Sequence, residues 1–107
     1  MEKFEIHMHS TFSDGEFTPT RLVNIAKNNG VSILCLTDHD TFEGIQEFIV
    51  AAEAERIYAF PGIEVTVRYR GFNLHLLAYF ESSNSLSGEL RREVMNMASM
   101  REKRMRE

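Results

Sequence analysis

The 107 residues are enough for one compact domain with a modest core, and a 43% hydrophobic content fits a globular chain. A formal net charge of −4 argues against a general nucleic-acid-binding surface, and no apolar stretch approaches the roughly 20 residues of a membrane span. The single Cys35 forbids an internal disulfide, and Met1-Glu2-Lys3-Phe4 runs into the first expected strand without a signal-peptide core, so the expectation is a cytoplasmic protein without membrane contact.

The first element is the run Phe4-Glu5-Ile6-His7-Met8-His9, whose alternation predicts a strand with His7 and His9 on one face and Ile6 and Met8 on the other. Two imidazoles side by side can share one ion. A His-x-His pair alone is weak evidence, because a histidine on a strand is more often an ordinary hydrogen-bonded residue. Ser10 to Gly15 is turn chemistry, and it puts Asp14 on a loop able to swing back toward the strand end as a third ligand.

Thr18 as N-cap, Pro19 at the first helical position and the apolar set Leu22, Val23, Ile25 and Ala26 predict a helix, which Gly30 ends in the left-handed C′ position. Val31 to Leu36 then reads as a strand buried on both faces, with Cys35 as a reduced core residue. Strand, helix and strand form a βαβ unit, whose usual right-handed crossover brings the ends of both strands to one sheet edge and His39 toward His9 and Asp14.

In Leu36-Thr37-Asp38-His39-Asp40-Thr41, neighbouring loop residues cannot all face one ion. His39 is the expected ligand, Asp38 the expected orienter of an imidazole, and Asp40 the expected helix cap paired with Glu43. The helix should run from about Thr41 to Glu55, packing through Ile45, Phe48, Ile49 and Ala52. Ile63 to Arg70 alternates as a strand, Gly71 marks a turn, and Phe72 to Phe80 returns as the second arm of a hairpin. With the turn centred on Tyr69-Arg70 or on Arg70-Gly71, Glu64 and His75 fall on the same face. The ordinary reading of Glu64, a strand carboxylate paired with Arg68 or Arg70, competes with that of a ligand.

Residues 82–88 form a polar linker, the one candidate boundary after a first segment of residues 1–81. Residues 89–107 read as a helix with Leu90, Val94, Met97, Ala98 and Met105 in a broken apolar stripe that needs a partner, in this chain or in a second copy. Arg91, Arg92, Arg101, Lys103, Arg104 and Arg106 crowd this stretch. They read either as a solvated face with charge pairs four apart or as an electropositive lid for phosphate-bearing substrates.

The segments His7-Met8-His9-Ser10, Thr37-Asp38-His39, Gly62-Ile63-Glu64 and His75, in this order, resemble the PHP family, named for polymerase and histidinol phosphatase. The position of Asp14 after His9, and the strand His75-Leu76-Leu77-Ala78-Tyr79-Phe80, resemble its branch of metal-dependent phosphoesterases, which includes nucleotide bisphosphate phosphatases and RNA 5′-end exonucleases. The resemblance implies an α/β fold, the N-terminal part of a distorted (β/α)7-type barrel carrying a β-hairpin and a C-terminal helix, the start of a helical insertion. It also implies a cluster of three divalent ions. His7, His9 and Glu64 would hold the first, Glu64 and His75 the second, and Asp14 and His39 the third. A donor set without cysteine suits Zn, Mn or Fe. Such ions lower the pKa of a water and stabilise charge on a phosphoryl group under attack, so the implied activity is hydrolysis of phosphate esters such as nucleotides or nucleic-acid ends. The family cluster draws on further ligands from strands that this sequence does not contain, so the chain by itself is expected to be weak or inactive. Two other readings stand beside this one: a metal-binding or structural PHP module without catalysis, and an amidohydrolase-like metal hydrolase, whose barrels also open with His-x-His.

Overall fold

The computed structural model describes residues 2–81. Its elements are β1 (Lys3–Met8), α1 (Pro19–Asn28), β2 (Val31–Leu36), α2 (Ile45–Ala54), β3 (Tyr58–Tyr69) and β4 (Phe72–Tyr79). The expected linker at 82–88, and the helix at 89–107 with its basic cluster and its proposed role in self-association, lie outside the described residues.

The strands form one sheet in the order β1-β2-β3-β4. β1 and β2, and β2 and β3, pair in parallel, while β3 and β4 are an antiparallel hairpin. α1 begins as expected: Thr18 is extended, its hydroxyl accepts from the Arg21 N–H at 3.2 Å, and Pro19 follows. It ends at Asn29, with Gly30 at φ 75°.

Two boundaries differ from the sequence reading. α2 starts at Ile45 with no side-chain cap, rather than near Thr41. Asp40 is not a helix cap: it sits at φ 54°, its N–H donates to the Glu64 carbonyl at 2.9 Å, and its carboxylate accepts from the Thr66 N–H at 3.2 Å. The segment that was expected to open the helix is held instead against β3. In β1 the register with β2 slips between Glu5 and Met8, so the strand departs from uniform alternation just before the second imidazole.

The core lies on one face of the sheet. Leu34 and Leu36 from β2 and Ile63 and Val65 from β3 pack against Val23 and Ala26 of α1 and Ile45, Phe48 and Ala52 of α2. Fully burying a side chain such as Phe48 contributes about 1.5–3 kcal/mol. By alternation, Glu64 and Thr66 project from the opposite face. That face curls inward: the Tyr79 hydroxyl on β4 donates to the Ile6 carbonyl on β1 at 3.1 Å, spanning the sheet from its last strand to its first. The architecture is a curled half-barrel with two helices on its outer face. Cys35 is buried in it, and burial pushes its thiol up to about 12. Among the described residues, no helix is long and apolar enough to cross a membrane.

Candidate metal centre

β3 changes partners along its length, and this exchange builds the site. Tyr58 to Pro61 pair with β2, whereas Gly62 to Tyr69 pair with β4. Where β2 ends, the loop after it takes over its place beside β3: His39 bridges Glu64, the Glu64 N–H donates to the Asp38 carbonyl at 3.0 Å, and the Asp40 N–H donates back to Glu64. The backbones of His39 and Glu64 are therefore clamped side by side.

Around the nearly buried Glu64 carboxylate stand all four histidines of the sequence. Its Oε1 lies 2.6 Å from His7 Nε2 and 3.0 Å from His9 Nε2. Its Oε2 lies 3.3 Å from His75 Nδ1 and 3.6 Å from His39 Nδ1. Asp14, reaching in from the first loop, closes the ring: its Oδ1 is 3.0 Å from His9 Nδ1 and its Oδ2 3.2 Å from His39 Nε2. The competing pairing of Glu64 with Arg68 or Arg70 is not made. Burial pushes the Glu64 carboxyl up, but hydrogen bonds with His7 and His9 and the charge of His39 and His9 outweigh it and hold the group below its ordinary value of 4.5.

Three sets of donors each lie within 4.8 Å of one another: His7, His9 and Glu64; His9, Asp14 and His39; His39, Glu64 and His75. Bonds of about 2.1 Å in a tetrahedral arrangement separate ligand atoms by about 3.4 Å, close to the Asp14–His39, His75–Glu64 and His39–Glu64 distances above. The residues present thus fit divalent ions. The geometry adds to the sequence partition, because His9 joins Asp14 and His39, and His39 joins Glu64 and His75.

Asp38 does not orient an imidazole. Its buried carboxylate accepts from the Ser10 N–H and from the hydroxyls of Ser10, at 2.6 Å, and Ser13, at 2.7 Å. It fixes the loop that carries Asp14. Ser10, fully buried, is the hub of that loop, since its carbonyl also accepts from the N–H groups of Ser13 and Gly15 at 3.0 and 2.8 Å. Gly15 is needed there: a Cβ would stand 2.0 Å from the His9 carbonyl oxygen. On β3, the Thr66 hydroxyl lies 3.1 Å from His75 Nδ1, the ring atom that also faces Glu64. Sequence reasoning gave no role to Ser10 or Thr66. The signals were present, because Ser10 completes the His-x-His-Ser motif and Thr66 follows Glu64 at the strand period of two.

The PHP domain family model matches residues 5–101. The chain is 36% identical over 104 residues to a 5′-3′ exoribonuclease of Haemophilus influenzae, a match that covers 96% of this chain and 37% of that protein. It is 35% identical over 77 residues to a 3′,5′-nucleoside bisphosphate phosphatase of Chromobacterium violaceum, covering 72% of this chain and 27% of that one. Among solved structures, it resembles a candidate metal-dependent phosphoesterase of Bifidobacterium adolescentis (TM-score 0.78, 30% identity, 97% of this chain and 36% of that one). It also resembles a Chromobacterium violaceum protein described as an amidohydrolase (TM-score 0.81, 28% identity, again 97% and 36%). The chain thus spans little more than a third, or less, of the length of these relatives.

Proposed function

This chain belongs to the PHP domain family, and on that premise we propose that His7, His9, Asp14, His39, Glu64 and His75 are ligands for divalent metal ions in a phosphoesterase site. The coarser part of this reading, a metal-dependent phosphoesterase, is supported by membership of the family and by the relatives described above. The finer reading is hydrolysis of a phosphate ester of a nucleotide or nucleic-acid end, giving phosphate and an alcohol. The observation that carries it is the ring of four imidazoles around the Glu64 and Asp14 carboxylates. The named activities of the exoribonuclease and the bisphosphate phosphatase support the substrate class.

A divalent cation bound there, with Zn, Mn or Fe the suited choices, supplies Lewis acidity and an acidified water. The chain's residues do the holding and aiming. Glu64 joins two donor groups through its two oxygens, the Thr66 hydroxyl stands beside the Nδ1 edge of His75, and Asp38 with Ser10 holds the loop that presents Asp14. Each group has three protein donors among the described residues, where about four are usual, so the chain alone binds metal and turns over slowly.

The test is hydrolysis of a nucleoside 3′,5′-bisphosphate, an aryl phosphate and an amide, each with added Mn²⁺. We expect slow phosphate release that His9→Ala abolishes, and no amide cleavage. Vigorous phosphate release would contradict the incomplete site, and amide cleavage would move the chain to the amidohydrolase reading.

A further inference from the structure

β1 carries an extra residue at the point where it delivers His7. Glu5 pairs with Leu34 and Met8 with Leu36, so Ile6 and His7 together stand against Cys35 alone. Such a bulge leaves one residue out of the ladder and re-aims the side chains around it. The backbone that presents His7 is thus not fixed by regular pairing with β2.

The ring of His7 is also the least held of the four imidazoles. His9 and His39 each face two carboxylates, those of Glu64 and Asp14, and His75 faces Glu64 and the Thr66 hydroxyl. His7 has Glu64 alone as a polar partner of its ring among the described residues, and its side chain is 52% exposed. Its direction therefore comes from the backbone around it.

One side chain grips that backbone from the far end of the sheet. Tyr79 lies opposite Gly62 in the β3–β4 register, on the face that carries Glu64 and His75. Gly62 puts no side chain in its way. The Tyr79 ring stands edge-to-face with Phe60, 6.0 Å between centroids, and its hydroxyl donates to the Ile6 carbonyl at 3.1 Å. In a flat sheet β1 and β4 would be about 14 Å apart, three strand spacings, further than a tyrosine side chain extends. The hydrogen bond exists because the sheet curls, and it fixes the curl at the residue before His7.

We propose that Tyr79 is a positioning residue of the metal centre: by holding the Ile6 carbonyl in the β1 bulge, its hydroxyl aims the His7 imidazole at the ion it would share with His9 and Glu64. Tyr79 acts through the backbone of β1 and supplies no ligand atom itself. This role rests on the reading of His7 as a ligand.

The test is the Zn²⁺ affinity of the whole chain by calorimetry, for the unaltered protein, Tyr79→Phe, His7→Ala and the double variant. Tyr79→Phe keeps the ring beside Phe60 and removes the hydroxyl alone. We expect it to lower affinity by about 10-fold, the low end for partners that orient ligating histidines, and to lower it no further in the His7→Ala background. In nitrogen NMR spectra of the zinc-loaded protein, the His7 ring signals should move in Tyr79→Phe while those of His39 and His75 stay. A His7-dependent affinity that Tyr79→Phe leaves untouched overturns the proposal alone. An equal loss in both backgrounds, or a Tyr79→Phe chain that does not fold, makes the hydroxyl a tie for the whole sheet and overturns it too. An affinity unchanged by His7→Ala overturns His7 as a ligand, and the proposal with it.

Discussion

Glu64 and His75 share one face of the β3–β4 hairpin because Tyr69 pairs with Phe72 across a two-residue Arg70-Gly71 turn. Both turn residues have positive φ, 50° and 84°, the conformation whose twist matches that of the flanking strands. In this register Thr66 lies directly opposite His75. The hairpin therefore delivers a carboxylate, an imidazole and the hydroxyl that faces it.

Thr66→Val keeps the strand's shape and removes that hydroxyl. Because it faces the same Nδ1 that points at Glu64, an ion held between those two groups must displace it, so metal affinity should hold or rise, with the melting temperature little changed. Mn²⁺ titration followed by calorimetry checks this, and a loss of affinity of about 10-fold or more would show that Thr66 holds Nδ1 while the ring binds metal through Nε2.

Asp38→Asn offers one oxygen where the carboxylate uses two against Ser10 and Ser13. A loss of about 1.5–3 kcal/mol of stability is expected, the scale of hydrogen bonds to a charged group. Thermal unfolding of the variant reads it directly. A melting temperature equal to that of the unaltered chain would show that the loop does not depend on the carboxylate.

Gly15→Ala drives a methyl group into the His9 carbonyl, so the Ser10–Gly15 loop must move. The expected cost is about 1–3 kcal/mol, together with weaker metal binding as Asp14 leaves His9. Denaturant unfolding and metal titration on one sample separate the two effects. Full stability with full metal binding would contradict the close approach.

These loop predictions mark where the sequence stopped being legible. Period-two alternation and the parity of the hairpin were enough to place Glu64 with His75, because strand geometry leaves two faces to choose from. The cap at Thr18 and the end at Gly30 were readable from side chains that act on their own backbone neighbours. Asp38 and Asp40 were misread because their partners, Ser10 and Thr66, are distant in sequence, and an Asp ahead of a helix resembles a cap until the strand that takes its carboxylate is known. The slip in β1 between Glu5 and Met8 has no local marker in the sequence.

In the metal-free protein, the Glu64 carboxyl lies below the 4.5 it would have when unfolded. A depressed carboxyl contributes stability that is full above the unfolded value and is lost as pH falls through the folded one. The stability advantage over Glu64→Gln should thus shrink as pH falls below about 4.5. Urea unfolding of both proteins across this range decides it, and an advantage that widens toward acid would reverse the sign.

The most direct measurement is the divalent metal content of the purified chain after incubation with Mn²⁺ or Zn²⁺ and desalting, compared with His9→Ala and Glu64→Ala. Each of these residues belongs to two of the three donor groups. We expect at least one bound ion per chain, and less metal in both variants while the fold persists. A folded chain that holds no metal, or variants that hold as much as the unaltered protein, would contradict the account of this cluster as a metal centre.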